Sequence, residues 1–270
     1  LKFTVKVPEL DLEDRSIVTT ELFSLVKEDK VIKMDFSEKP ECKTFHINVN
    51  KSGIIKTSNS SRAFKGVFTN SSSTILIFTA CGKVFSMPSF MFGEIENNRI
   101  NIEKLMGISA SNILKMISVE NFNHGYIYFF TKYGMIKKTK LNEFQDINGW
   151  NRVHKFKING DFLVNVECGR EEDEILIVTE KGMAIKFQGD SINSMGRSAC
   201  GVTAINLNEE DSVMYSMVME EKINYKLNLT SVKGNKKSIK IKDIALQNRG
   251  GKGANIMLVV MEDKIAEVNM

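Results

Sequence analysis

The sequence predicts an all-β protein assembled from repeated antiparallel units. Three observations carry this: a recurring strand–turn–strand pattern, the spacing of its turn glycines, and a second segment that recurs between the hairpins. In the pattern an apolar run leads into Thr-x-x-Gly and then basic residues. Ile75–Met87 is ILIFTACGKVFSM, Ile127–Thr139 is IYFFTKYGMIKKT and Ile175–Phe187 is ILIVTEKGMAIKF. Leu227–Ile239 (LNLTSVKGNKKSI) has Ser for Thr, and Ile47–Thr57 (INVNKSGIIKT) is a weaker copy. β-Branched and aromatic residues in the run favour a strand. Glycine tolerates the positive φ of a tight turn. The residue three positions earlier (Thr79, Thr131, Thr179, Ser231, and Asn50 in the weak copy) suits a side-chain-capped turn. Each copy therefore predicts a β-hairpin.

The turn glycines Gly53, Gly82, Gly134, Gly182 and Gly234 are 29, 52, 48 and 52 residues apart. A step of roughly 40–50 residues suits a four-stranded propeller blade. A degenerate copy lies upstream: Leu22–Met34 (LFSLVKEDKVIKM) aligns with Ile175–Phe187, with Asp29 at the glycine position. That makes six hairpins, the first two expected in shortened blades. Met195–Val213 (MGRSACGVTAINLNEEDSV) has looser copies in Asn148–Val164 and Asn248–Ile265. Each is a Gly-rich loop, a strand and an acidic turn, and each would supply a blade's remaining strands. The polar run Thr69–Thr74 (TNSSST) is expected to be a loop. The organisation expected is a lead-in plus degenerate first hairpin over residues 1–42, and a repeat domain over residues 43–270.

Composition fits one large domain. The chain has 270 residues, 42% of them hydrophobic, with only three prolines and no Pro/Gly/Ser linker. Its first ~15 residues look like an acidic lead-in, and a start at Leu1 rather than Met suggests a piece of something longer. No apolar stretch approaches the ~18–20 residues of a membrane span, and no signal peptide is visible. Cys42, Cys81, Cys168 and Cys200 are scattered, without a C-x-x-C, and His46, His124 and His154 do not cluster with them. Reduced thiols, no metal and a cytosolic setting are expected.

The net charge of +4 is modest, and its distribution says more. Lys233–Gly253 holds seven basic residues against one acidic. Lysines follow the turn glycines by one to four positions: Lys56, Lys83, Lys137 with Lys138, Lys186, and Lys236 with Lys237. If hairpins lie around a disc, these lysines recur around its rim, as neutralising the phosphates of a bent duplex requires. Lysine is also common at exposed strand ends, where it blunts sheet edges. Recurrence at one repeat position favours the binding reading.

The hairpins resemble the repeats in the C-terminal domain of the A subunit of bacterial type IIA topoisomerases, DNA gyrase and topoisomerase IV. The matching stretches are ILIFTACGKVFSM, TKYGMIKKTKLNEF and, above all, ILIVTEKGMAIKFQGDSINSMGRSACGVTAINLNEEDSV. The resemblance covers about residues 43–260; residues 1–42 match poorly. It implies a six-bladed β-pinwheel whose neighbouring blades exchange a strand and whose basic rim binds and bends duplex DNA. It implies no DNA cleavage and no ATP hydrolysis here, with ATP and Mg used by other domains. The implied partners are duplex DNA, the remainder of the same polypeptide and the topoisomerase B subunit, in a cytoplasmic, nucleoid-associated enzyme. The DNA-binding residues expected are Lys56, Lys83, Lys137, Lys138, Lys186, Arg197, Lys236, Lys237, Arg249 and Lys252.

One departure matters. Gyrase A subunits carry a Q-[RK]-R-G-G-[RK]-G box in the first blade. Here only 21 residues separate Gly53 from Ile75, and no box fits. A close match, QNRGGKG, lies at Gln247–Gly253 in the last blade, where Met195–Gly201 occupies the equivalent place. Its glycines would let backbone approach a phosphate, or they serve an ordinary blade connection. The missing first-blade box favours a topoisomerase IV-type protein.

Catalytic patterns are lacking. There is no phosphate-binding G-x-x-x-x-G-K-[ST] loop and no G-x-S-x-G elbow. No tyrosine follows an arginine, the pair that carries the family's cleavage chemistry. Trp150 reads as packing more than as a DNA contact, and Met214–Met219 as core alternation. The competing function is a propeller-like protein-binding adaptor, since such folds host many roles. Lysines at one repeat position argue against it. An enzyme with a central-channel site lacks a convergent His/Asp/Glu set.

Overall fold

In the computed structural model the described residues are 24–27, 30–33, 43–58, 65–93, 100–147, 149–220, 225–260 and 262–270. The acidic lead-in, Cys42 and the ends of the Leu22–Met34 copy lie outside them. In chain order the strands begin with β1 (Ser24–Lys27), β2 (Lys30–Lys33), β3 (Thr44–Val49), β4 (Ile54–Ser58) and β5 (Lys65–Asn70). Next come β6 (Thr74–Thr79), β7 (Lys83–Pro88), β8 (Ile100–Asn101), β9 (Ile113–Val119), β10 (Tyr126–Thr131) and β11 (Met135–Lys140). They continue with β12 (Gly149–Arg152), β13 (Leu163–Gly169), β14 (Glu174–Thr179), β15 (Met183–Gln188) and β16 (Val202–Thr203). The last are β17 (Val213–Met219), β18 (Lys226–Ser231), β19 (Lys236–Lys240), β20 (Ala254–Asn255) and β21 (Ile265–Asn269). Two short helices, α1 (Phe90–Gly93) and α2 (Ile102–Met106), interrupt the β structure.

The strands form six antiparallel sheets, and the fold is a β-pinwheel of propeller-like blades. The first blade is β1–β2, the second β5–β3–β4–β8 and the third β9–β6–β7–β12. The fourth is β13–β10–β11–β16, the fifth β17–β14–β15–β20 and the sixth β21–β18–β19. In each of the second to fifth blades the outermost strand lies, in sequence, after the hairpin of the next blade. β16, for example, follows β14–β15 yet pairs with β11, Met135 opposite Thr203 and Ile136 opposite Val202. This is the strand exchange that the resemblance implies. The sixth blade has no such strand among the described residues.

Two compact units divide the chain: Leu1–Ser73 with Pro88–Ala110, and Thr74–Met87 with Ser111–Met270. The first holds the first two blades. Its second blade is a full four-stranded sheet, not a shortened one, because β8 arrives from beyond the next hairpin. Within Thr69–Thr74 the expected loop is Ser71–Ser73, while Thr69 and Asn70 end β5 and Thr74 opens β6; the Asn70 side-chain oxygen accepts the Ser72 amide at 2.9 Å and the Ser73 hydroxyl at 3.0 Å in this tight turn. The first hairpin forms, but its register is shifted. Val26 faces Val31 and Lys27 faces Lys30, whereas alignment with the fifth blade would pair Leu25 with Val31. Without glycine in the sequence at position 29, the three-residue turn with a left-handed residue is unfavourable.

In the second unit alternate residues of the hairpin strands serve opposite faces, so the fourth and fifth blades each pack against two neighbours. Phe78 with Leu76 of the third blade meets Ile127 and Phe129 of the fourth. Tyr128 and Phe130 meet Ile175 and Ile177 of the fifth. Leu176 and Val178 meet Leu227 and Leu229 of the sixth. Met217 and Met219 join that last cluster, so the methionine-rich stretch is core.

Candidate nucleic-acid interface

The second to sixth hairpin turns are built alike, and this sets where each lysine goes. In five copies the turn residue accepts the amide just after the glycine. Thr79 takes Lys83 N at 3.2 Å, and Thr131 takes Met135 N and Thr179 Met183 N at 3.1 Å. Ser231 takes Asn235 N at 3.2 Å, and Asn50 takes Ile54 N at 2.9 Å. The glycines have φ of +76° to +85°. The three-residue turn with a left-handed glycine explains the Thr-x-x-Gly spacing.

The same glycines seat the exchanged strands. Gly134 O accepts Ala204 N at 2.8 Å, Gly182 O accepts Ile256 N at 2.9 Å, and Gly82 O accepts Val153 N at 2.9 Å. A Cβ on Gly182 would collide with the Met257 carbonyl, whereas one on Gly234 would meet nothing within 4 Å. The acidic turns noted in the sequence pin these tips from the side. Asp161 Oδ1 accepts the amides of Tyr133 (3.0 Å) and Phe162 (2.9 Å). Asp211 does so for Lys181 (3.0 Å) and Ser212 (2.8 Å), and Asp263 for Lys233 (3.1 Å) and Lys264 (2.9 Å). The recurrent aspartate two residues before an inner strand was the signal for this role.

The lysines that look equivalent in sequence fall into two classes. Lys137 has no exposed surface. Its Nζ donates to Arg197 O at 2.6 Å and to Val153 O, and lies 4.6 Å from the Phe129 ring centre. Burial pushes its pKa down to about 7, against a smaller upward pull from Glu143. Beside it, buried His154 is held neutral, its pKa lowered to about 3 by burial and by Lys137. Lys138 is equally buried; it donates to Glu171 Oε1 at 2.9 Å and Gly189 O at 3.0 Å, joining the fourth blade to the loop before β14 and the turn after β15. Lys186 is buried against Glu174, 3.2 Å away. The expectation of rim exposure is therefore corrected for Lys137, Lys138 and Lys186. The exchanged strand and its loop cover the return strand, which alternation alone does not reveal.

Lys56 and Lys83 are exposed, as are Lys236, Lys237 and Lys252. Opposite Lys83 the exchanged strand β12 places Arg152, also exposed, so the third blade carries a cation pair that sequence reasoning missed. The pairing becomes visible only once strand exchange is known. Arg197 is half-buried; its carbonyl holds Lys137 and its amide donates to Glu143 at 3.3 Å. Arg249 is half-buried and staples two connections, donating to Thr203 O at 2.5 Å and Ser191 O at 3.3 Å.

Gln247–Gly253 follows the path of Met195–Gly201. Gln247 N donates to Lys186 O at 2.7 Å as Met195 N does to Lys138 O at 2.8 Å. Gly253 and Gly201 both have φ near +78°, and a Cβ there would strike Ala184 O or Ile136 O. These glycines thus have a packing reason as blade connections. In the third blade Trp150 takes the corresponding place and packs edge-on against Phe85 at 5.2 Å.

A family model described as the DNA gyrase C-terminal domain, beta-propeller, matches residues 125–149, 173–218 and 229–267. The DNA gyrase A subunit of Ureaplasma parvum serovar 3 is 29% identical over 208 residues, covering 76% of this chain and 24% of that protein. Its counterpart in Mycoplasma pneumoniae is 36% identical over 141 residues, 51% of this chain and 17% of that protein. The chain therefore spans about a quarter or less of these relatives. A crystal structure of the C-terminal domain of DNA topoisomerase IV superposes with a TM-score of 0.72 at 22% identity, covering 84% of this chain and 77% of that one. The E. coli ParC C-terminal domain gives 0.63 at 11% identity, covering 84% and 98%.

Proposed function

From the premise that its repeats belong to the family of C-terminal domains of gyrase and topoisomerase IV A subunits, we propose that this chain binds and bends duplex DNA without sequence preference. It presents the duplex to the strand-passage core of a type IIA topoisomerase. The observation that carries this reading is the row of exposed lysines on the sixth blade, Lys236, Lys237 and Lys240, followed by Lys242 and Lys252. They make no ion pair with the described residues, and phosphate neutralisation is the interaction such a row favours. Lys83 with Arg152, Lys56, and the half-buried Arg197 and Arg249 extend the basic surface within their own units. Chemistry, ATP and Mg belong to other domains of the enzyme. The partners are the remainder of the same polypeptide and the topoisomerase B subunit, in the cytoplasm at the nucleoid.

The absence of a glycine-arginine box near the second hairpin supports a topoisomerase IV-type protein. Comparing decatenation with supercoiling by the reconstituted enzyme tests that assignment. For DNA binding, the test is a gel shift with a linear duplex at ~50 mM salt, repeated at ~200 mM, where several phosphate contacts cost orders of magnitude in affinity. Binding that vanishes steeply with salt is expected. A chain that ignores the duplex, or binds it independently of salt, defeats the proposal.

A further inference from the structure

The sixth blade departs from the fourth and fifth on one face only. In the fourth and fifth blades both faces of the central hairpin strand are apolar: Ile127 and Phe129 against Tyr128 and Phe130, Ile175 and Ile177 against Leu176 and Val178. In β18 the face toward the fifth blade keeps Leu227 and Leu229, both buried, while the opposite face carries Lys226, Asn228 and Thr230. The return strand changes in step. The position two after the turn glycine, Ile136 and Ala184 in the preceding blades, is Lys236 here.

Directly opposed residues share a face, so the register assembles the outward surface. Lys226 faces Lys240, Asn228 sits between Ser238 and Asn269, and Thr230 between Lys236 and Glu267. Lys226, Asn228, Lys236, Ser238, Lys240 and Asn269 are exposed. The lone acid, Glu267, is on β21, two strands from Lys236, about 10 Å at ~4.8 Å per strand. The β18–β19 half is cationic with hydrogen-bonding amides and hydroxyls between, and no apolar side chain is available to receive another blade.

We infer that this outward face of the β18–β19 hairpin is itself a phosphate-binding surface for a nucleic-acid duplex, distinct from the hairpin tips and the glycine-rich connection. The inference deepens the DNA-binding reading and rests on it. Charge complementarity identifies the occupant: three ammonium groups lacking carboxylate partners among the described residues, on a polar sheet face. Lys236 and the Lys226–Lys240 pair stand four residues apart along the strand, ~13 Å at ~3.3 Å per residue. That is close to the ~12 Å width of the B-form major groove, so the two positions reach phosphates on both margins of one groove.

The test uses the whole chain with K226E/K240E, K226R/K240R and, as a tip variant, K83E/R152E. Binding to a linear 40-base-pair duplex is followed by anisotropy over a salt series, with melting curves as the check on folding. K226E/K240E is expected to lose at least about tenfold in affinity and about two units of salt slope, near 0.9 per phosphate contact. K226R/K240R should bind as the parent does. Equal binding by the parent and a folded K226E/K240E overturns this face while leaving the DNA reading intact. A parent that binds no duplex overturns both.

Discussion

The fourth and sixth blades use the same hairpin and put its lysines to opposite uses. Lys137 and Lys237 both stand three residues after a turn glycine, on the face toward the preceding blade. Lys137 is sealed under the exchanged strand β16 and its loop, with two carbonyls and an aromatic ring as neighbours. Lys237 has no strand beyond it among the described residues and is exposed. The lysine is the same; a strand supplied from about 65 residues downstream decides whether it is buried or exposed. A basic residue in a repeat therefore cannot be assigned to a ligand before the strand exchange is mapped.

Stability should separate the two most sharply. Lys137→Ala removes a buried stem and leaves two carbonyls without a donor, an expected loss of about 2–5 kcal/mol. Lys237→Ala should change stability by within about 0.5 kcal/mol. Denaturant midpoints measure both, and comparable losses would break the contrast. The turn glycines give a second pair. Gly182→Ala pushes a Cβ into the Met257 carbonyl at φ +79°, whereas Gly234→Ala meets only the conformational penalty, about 1 kcal/mol. Gly182→Ala should cost about twice that or more. Similar melting temperatures for the two variants would mean that β20 does not sit on that turn.

Titration sharpens the comparison further. The folded pKa of Lys137, about 7, lies below its ordinary 10.5. Between those values the unfolded chain holds a proton that the folded chain lacks, so stability rises with pH by up to about 1.4 kcal/mol per unit. Tyr128, raised by burial, opposes this above pH ~10. Lys137→Met should therefore flatten the stability profile between pH 7 and ~9.5. A Lys237→Met profile should overlay that of the parent.

The smallest change in fold, and the most direct change in function, concerns the interface. Replacing Lys236, Lys237, Arg249 and Lys252 together by Ala should weaken duplex binding more than replacing Lys56, Lys83 and Arg152. It should also flatten the salt slope by about one unit for each phosphate no longer neutralised. A larger drop in affinity for the second set would move the main DNA track to the earlier blades.

Hairpins, turns and their spacing were legible because Thr-x-x-Gly is local chemistry: a hydroxyl capping one amide and a glycine at positive φ. The acidic turns were visible as turns, but not as clamps on neighbouring hairpin tips, because Asp161 and Tyr133 are 28 residues apart. The candidate site was only half legible. Lys83, Lys236 and Lys237 were expected on an exposed rim, and they are exposed. Lys137, Lys138 and Lys186 were misplaced, since their covers come from the next repeat. Arg152 went unnoticed for the same reason, its partner Lys83 belonging to a hairpin nearly seventy residues earlier.

Amine reactivity tests the central claim in one measurement. The native chain is acetylated briefly with a soluble ester, with and without duplex, and each lysine is quantified by mass spectrometry. Burial itself lowers the Lys137 pKa to about 7, so much of the amine is unprotonated near neutral pH, and its protection reports that the reagent cannot reach it rather than that a proton blocks it. The prediction is that Lys137, Lys138 and Lys186 stay unmodified in both samples, while Lys236, Lys237 and Lys240 react quickly and are shielded by DNA. Ready acetylation of Lys137 and Lys138 in the folded chain, or no shielding of the sixth-blade lysines by bound duplex, would contradict it.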